Sequence, residues 1–209
     1  MGHQSPETAT FEELLRRTAP AVDLQNGVHA QALLEWLNKW GCRIATTEFP
    51  ALSARLKIWI EQWGGRLPLA NAEIVDLQAP GLDAIADAYD ALLKARLRGP
   101  TCAAKILFAL RSKAAIPWDE PIRAEFNLSR SRQGFRDMLQ RSKDEAEKLI
   151  SDAAARCGGG NPRDIPSVIG RPTRSIVRLL DEYHWITITR GHQIPICDEL
   201  RQWVAWACP

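Results

Sequence analysis

Residues 99–122 constrain the fold more than any other part of the chain. They read GPTCAAKILFALRSKAAIPWDEPI, and the first apolar side chains recur at the i, i+3, i+4 and i+7 spacing of a half-buried helix. These side chains are Ala103, Ile106, Leu107 and Leu110. After a basic break, Pro117 favours extended backbone at the residue before it. Asp119 is a preferred N-cap residue and Pro121 fits the first turn of a helix. The stretch therefore predicts a helix, a tight loop and a carboxylate that opens a second helix.

Helical patterns separated by Gly and Pro breaks cover most of the remaining chain. They predict helices over residues 11–17, 28–40, 50–63, 81–97 and 133–156. Gly158 begins the strongest break. Beyond it we predict a helix over residues 173–183, a strand over residues 185–189 and a last helix capped by Asp198. The predicted fold is mostly α: a helical domain over residues 1–157, with a small C-terminal helix–strand–helix extension, residues 161–209, packed on it.

Length and composition describe an ordinary globular protein. The 209 residues, 45% of them hydrophobic, are enough for one sizeable core. No apolar run approaches a membrane span, and the first residues lack a secretory signal pattern, so we expect a cytoplasmic protein with no membrane partner. The five cysteines have no CxxC or Cys/His ligand spacing, which predicts reduced thiols rather than a zinc site. There is no Walker loop, dinucleotide fingerprint or HExxH motif, and we predict neither a cofactor nor a metal.

Charge is distributed unevenly along the chain, although the formal net charge is only +2. Residues 94–143 hold twelve Lys or Arg but four Asp or Glu, and the remainder is correspondingly acidic. A basic middle third is what a polyanion-binding face requires. The same count also fits a set of solvated helix faces, and only the clustering of these side chains in space separates the two interpretations.

Residues 97–122 resemble the central part of the helix-hairpin-helix DNA glycosylase superfamily. The resemblance is carried by Gly99-Pro100, by Ala103 and by Pro117-Trp118-Asp119. It implies a hairpin that binds backbone phosphate and an aspartate, here Asp119, that points into a base pocket. The family's Gly, apolar residue, Gly pattern is replaced here by Leu97-Arg98-Gly99, and the position of the family's nucleophilic lysine holds Thr101. The resemblance therefore implies a DNA-binding protein of DNA repair that excises a damaged base by monofunctional hydrolysis, without lyase activity.

The resemblance and the residue chemistry together give the candidate site. Asp119 is the catalytic carboxylate, and the alternative is a helix cap alone. Lys105, one helical turn after Thr101, is a second catalytic candidate if a dry pocket lowers its pKa; otherwise it contacts phosphate. Trp118 belongs to the base pocket or plugs the core. The candidate DNA-binding residues are Arg98, Gly99, Pro100, Thr101, Arg111 and Lys113. The expected partner is double-stranded DNA; no protein partner is predicted.

Two other interpretations stay open at this stage. One is a catalytically inactive helical interaction module that keeps the bundle without the chemistry. The other is a winged-helix-like transcriptional regulator formed by residues 164–191, in which Arg171, Arg174 and Arg178 face DNA. The tryptophans at helical spacing in residues 36–63 favour core packing over a base-stacking platform.

Overall fold

A computed structural model describes residues 6–157, 164–168 and 171–193, and this part of the chain is mostly helical. In chain order the helices are α1 (Pro6–Arg17), α2 (Gly27–Lys39), α3 (Phe49–Trp63), α4 (Ala79–Lys94), α5 (Pro100–Leu110), α6 (Glu120–Glu125), α7 (Arg132–Cys157), α8 (Ile165–Val168) and α9 (Ile176–His184). Short 3-10 turns lie at Thr46–Glu48, Gly64–Arg66 and Ile74–Asp76. The mostly α prediction is confirmed at this level, while the particular glycosylase bundle stays a proposal.

The helix boundaries follow from the capping residues. The Asn26 side chain accepts a hydrogen bond of 2.9 Å from the Val28 amide and so begins α2, as predicted. Gly41 ends the same region with a φ of 78°, a left-handed conformation that glycine adopts without steric cost. Helix α4 ends at Lys94 rather than at residue 97, because Arg96 takes a φ of 52° and turns the chain towards α5.

One apolar core joins nearly all of these helices. Helix α4 packs against α5 and α7, while α2 packs against α1, α3 and α5. The rings of Phe11 and Phe108 lie 4.8 Å apart, and those of Tyr89 and Phe135 stack at 4.2 Å. The buried side chains of α9, Ile176 and its neighbours, belong to the same core. Helix α9 therefore packs against α7 and joins the core that the earlier helices share.

The predicted strand at residues 185–189 is wrong. Trp185–Thr189 is a π-helical segment that continues α9, and the Arg190 amide donates to the Trp185 carbonyl at 2.9 Å. A strand needs a partner for its backbone, and the described residues contain no other strand. The alternating pattern arises because this helical segment is half-exposed, with Ile188 packed on the core. The predicted break at Gly158 and the last helix from Asp198 lie outside the described residues, and the division into two units stays a prediction.

Two general properties of the described chain bear on function. None of the helices within the described ranges combines the length and the apolar character that crossing a bilayer demands. In the same ranges, no three His, Cys, Asp or Glu side chains come together as a group that could hold a metal ion.

Candidate functional site

A cavity of about 510 Å³ opens between the C-terminal end of α2, the first turns of α5, the start of α6 and one side of α9. Thr101, Lys105 and Asp119, three of the predicted site residues, line it together. Its walls carry four cationic side chains (Lys39, Lys105, Arg171 and Arg178) and three carboxylates (Asp119, Asp181 and Glu182). The cavity, called the cleft below, is therefore a mixed-charge site with aromatic walls, to which Trp40 and Trp185 contribute.

Asp119 is both a helix cap and a wall of the cleft. Its Oδ1 accepts a hydrogen bond of 3.1 Å from the Ile122 amide and so begins α6. Its Oδ2 accepts a second hydrogen bond, of 3.0 Å, from the hydroxyl of Thr189. The carboxylate is half-buried, with one helix and the segment after α9 fixing its orientation. A cap leaves carboxylate lone pairs available, so the cap does not exclude a chemical role.

Lys105 lies in the α5 wall and is anchored to the end of α2. Its Nζ donates a hydrogen bond of 2.5 Å to the Trp40 carbonyl and lies 5.3 Å from the centre of the Trp40 ring. This cation–π contact explains why Trp40, alone among the four tryptophans of residues 36–63, reaches the cleft. Trp36 and Trp59 are buried in the core, as the sequence favours.

A pair of thiols lies behind the same walls. Cys42 and Cys102 are free thiols that directly follow the cleft residues Gly41 and Thr101. A hydrogen bond between the two side chains lowers the pKa of Cys42, while that hydrogen bond and burial raise the pKa of Cys102. Cys42 is thus the more acidic of the two thiols.

Trp118 is a core residue rather than a free stacking surface. It borders the cleft, but only 1% of its surface is exposed. Its ring packs edge-on against Tyr89 at 5.9 Å and against Phe135 at 5.2 Å. Arg123 covers it from another side, 5.9 Å from the ring centre. Burial of the ring favours the core role, one of the two predicted for Trp118, and the base-pocket role stays a prediction.

The other predicted DNA-binding residues lie outside the cleft. Arg98 forms an ion pair with Glu48, while Gly99 and Pro100 start α5 without lining the cavity. Arg111, at the far end of α5, donates to the carbonyls of Pro68 and Leu110, and burial lowers its pKa. Lys113 faces Glu73 at 3.8 Å. The structure thus brings together Thr101, Lys105, Trp118 and Asp119 at the cleft, and the other predicted DNA-binding residues lie outside it.

The basic middle third does not form one positive face. Nine of its twelve cationic side chains pair with carboxylates in the described part of the chain. These nine are Lys94, Arg98, Lys113, Arg123, Arg130, Arg132, Arg136, Arg141 and Lys143. Several carboxylate partners, such as Asp83 and Glu48, come from outside the segment. The local excess of positive charge in the sequence is therefore largely neutralised in the fold.

The α9 wall of the cleft was not found from the sequence. It contributes Asp181 and Glu182, and the π-helical segment after it contributes Trp185 and Ile186. Burial raises the pKa of Asp181 to about 8, against the opposing effect of Lys105. The only signal in the sequence was the acidic pair on an amphipathic helix, which is ordinary on a solvated face.

Glu182 of α9 and two arginines of the segment before α9 form an ion-pair network. Glu182 faces Arg174 at 3.2 Å and Arg171 at 3.4 Å, and Arg174 also pairs with Glu12 of α1. Arg178 lies 4.8 Å from the Phe11 ring centre, and burial lowers its pKa to about 10. Arg174 and Arg178 are each 6% exposed. The winged-helix interpretation is therefore wrong in presenting these two side chains to DNA.

Comparison of the chain with protein-family models, with curated proteins and with solved structures finds no match. Any function must consequently be argued from the cleft itself.

Proposed function

We propose that the cleft binds a nucleobase swung out of duplex DNA, and that Asp119 supports hydrolysis of the bond between that base and its sugar. The observation that carries this proposal is the meeting of Asp119, Lys105 and Thr101 in one cavity of about 510 Å³. Enzymes that act on a base in duplex DNA hold it in a pocket outside the stack. The cavity falls within the size range of small-molecule sites, roughly 300–1,000 Å³.

The geometry of Asp119 suits this chemistry. In N-glycoside hydrolysis the C1′–N bond breaks, its electron pair leaves with the base, and positive charge develops on the sugar. A fixed carboxylate stabilises that charge in a partly desolvated site and orients the water that attacks C1′. The Thr189 hydroxyl and the Ile122 amide hold the Asp119 carboxylate in place. Lys105, which donates to the Trp40 carbonyl, suits a cation that contacts the phosphate backbone rather than a nucleophile.

A free nucleoside is the second candidate substrate for the same cleft. The observation in its favour is that nine of the twelve cationic side chains of residues 94–143 pair with carboxylates in the described part of the chain. Arg132, for example, pairs with both Asp83 and Asp87. Affinity for duplex DNA depends mainly on cations that are available to phosphates. A small substrate needs the pocket and Asp119 but no extended basic face.

A cleavage screen tests the proposal. Duplexes with single damaged bases and a panel of free nucleosides are incubated with the wild-type protein, with Asp119→Asn and with Asp137→Asn. Asp137 is exposed on α7 and bonded to Gln133, so it gives the same change of charge away from the cleft. We expect Asp119→Asn to lose base release by a factor of about 100 or more, while Asp137→Asn retains it. Release by the Asp119→Asn variant at the wild-type rate, or no release from any substrate, contradicts the proposal.

Salt-dependent binding separates the two substrates. With an undamaged duplex as the probe, Lys105→Gln should weaken binding and reduce the salt slope by about 1. Arg111→Gln should leave both unchanged, because Arg111 lies outside the cleft and donates to the carbonyls of Pro68 and Leu110. If the wild-type protein fails to bind the duplex at low salt but still cleaves a nucleoside, the free nucleoside is the substrate.

A further inference from the structure

Asp181 lines the same cleft as Asp119 but lies on a different helix. Asp119 lies at the start of α6, and Asp181 lies near the middle of α9. The π-helical segment after α9 contacts α6, and Thr189 of that segment bonds to Asp119. A molecule that fills the cleft therefore meets walls that carry both Asp119 and Asp181.

We propose that Asp181 is the proton donor to the departing base, while Asp119 stabilises the sugar. This inference rests on the proposed N-glycoside hydrolysis and assigns its second chemical role. The C1′–N bond breaks, the electron pair goes to the base, and the proton moves from the Asp181 carboxyl to a ring nitrogen. Water adds to C1′ and releases one proton, so a free base and a sugar hydroxyl are formed. Asp181 then recovers a proton from solvent.

The surroundings of Asp181 keep its proton available near neutral pH. Burial raises the pKa of Asp181 to about 8, and Glu182 and Asp119 act in the same direction. Lys105 on α5 and Arg178 on α9 oppose this effect. The other charged groups that line the cleft are Lys39 and Arg171. In the described part of the chain, no cationic side chain forms an ion pair with Asp181 that would hold it as a carboxylate.

The third carboxylate of the cleft is unsuited to this role. Glu182 faces Arg174 at 3.2 Å and Arg171 at 3.4 Å, so two guanidinium groups already occupy its carboxylate oxygens. Asp119 accepts hydrogen bonds from the Thr189 hydroxyl and the Ile122 amide, which fix its carboxylate in the wall of the cleft.

A proton donor at Asp181 matters for neutral bases and not for cationic ones. A neutral purine is a poor leaving group unless a ring nitrogen is protonated, whereas an N7-alkylated purine is already cationic and leaves without a proton. A donor at Asp181 is therefore needed only for neutral bases. The two probes are one duplex that carries a single hypoxanthine, which is neutral, and the same duplex with a single 7-methylguanine, which is cationic.

Release of each base is measured for the wild-type protein, Asp181→Asn and Asp137→Asn from pH 5 to pH 9. We expect Asp181→Asn to slow hypoxanthine release by about 100-fold or more and 7-methylguanine release by less than about threefold. Wild-type release of hypoxanthine should fall above pH 8, and that of 7-methylguanine should not. Asp137→Asn should match the wild type on both probes, and a melting temperature of Asp181→Asn no lower than that of the wild type establishes that the variant is folded.

The remaining outcomes overturn the inference in distinguishable ways. Equal loss on both probes means that Asp181 only maintains the structure of the cleft. If Asp181→Asn slows release of neither base, or if the wild-type protein releases only 7-methylguanine, Asp181 is not a proton donor. The proposed function stands in both cases. Release of neither base from DNA or from the corresponding free nucleosides overturns the inference, and no release from any substrate of the cleavage screen overturns the proposed function as well.

Discussion

At the scale of single residues, Asp181 gives the most direct prediction from its proton affinity. An unfolded chain releases an aspartic proton near pH 4, whereas burial raises the pKa of Asp181 to about 8 in the folded chain. Between about pH 4 and pH 8 the folded state binds the additional proton, so its stability falls as pH rises and then levels off. Asp181→Asn removes this dependence. The unfolding free energy of Asp181→Asn should therefore exceed that of the wild type by an amount that grows as the pH rises from about 4 to about 8.

Urea unfolding of the two proteins at several pH values between 4 and 9 measures the difference. Asp137→Asn is the control, since Asp137 is exposed on α7. Its difference from wild type should stay constant with pH. A constant difference for Asp181→Asn as well would show that the folded chain does not retain the proton.

Asp119 combines two roles that different substitutions separate. Asp119→Ala removes the side-chain acceptor for the Ile122 amide and should lower the unfolding free energy by about 1 kcal/mol. Asp119→Asn keeps an oxygen in that place and should stay close to the wild-type stability. Both variants lose the negative charge and should lose base release. Thermal unfolding and the cleavage screen, run on the same preparations, make the comparison.

If Asp119 is only a cap, the result differs in a recognisable way. Base release would then follow stability, and the Asp119→Asn variant would release bases at the wild-type rate.

At the scale of elements, the first turn of α7 depends on one glycine. A Cβ built on Gly134 would lie 2.0 Å from the Ser129 carbonyl oxygen, which is backbone and cannot move aside easily. Gly134→Ala must therefore displace the start of α7 or the preceding loop. The next residue, Phe135, packs against Trp118, which precedes Asp119. We expect a loss of about 3 kcal/mol in unfolding free energy, as for overpacked cores, together with weaker base release.

Gly65→Ala is the matched control for this substitution. No atom lies within 4 Å of a Cβ placed on Gly65, so this change should leave the melting temperature nearly unchanged. Equal melting temperatures for Gly134→Ala and Gly65→Ala would mean that the loop at Ser129 adapts at little cost.

Some of the secondary-structure elements could be predicted from the sequence and others could not. Local rules were sufficient where the determinant is local: Asn26 begins α2, Gly41 ends its region, and Asp119 begins α6. Local rules failed for Trp185–Thr189, because alternation alone does not supply a partner strand. The α9 wall was missed for a related reason. Thr189 meets Asp119 across seventy positions of chain, and no spacing in the sequence encodes that contact.

At the scale of the whole molecule, the ion pairs join distant parts of the chain. Arg98 of the α4–α5 turn pairs with Glu48, and Arg132 of α7 pairs with two aspartates of α4. The basic segment of the sequence therefore does not become a basic face of the folded protein, because carboxylates from other parts of the chain lie beside it. For this reason the proposal of nucleic-acid binding depends on the cleft rather than on the basic middle third.

The longest of these connections is the network of Arg174 with Glu12 of α1 and Glu182 of α9. The Arg174 side chain is 2% exposed, so its removal leaves two carboxylates close together without their shared partner. Breaking a fully buried pair costs about 3–5 kcal/mol and an exposed pair contributes about 1 kcal/mol or less, and the Arg174 pairs lie between these limits because their carboxylates are partly exposed. Arg174→Gln should therefore reduce the unfolding free energy far more than Arg130→Gln, whose ion pair with Glu120 is exposed.

Because α9 carries Asp181, loosening it should also change the cleft. Hydrogen exchange measured by mass spectrometry should show faster exchange in α9 for Arg174→Gln than for Arg130→Gln, and base release should fall in the same variant. Glu12→Gln combined with Arg174→Gln should cost less than the sum of the two single changes, since both remove one interaction. Additive costs, or unchanged exchange in α9, would show that the apolar contacts of Ile176 and its neighbours hold this wall of the cleft without the ion pairs.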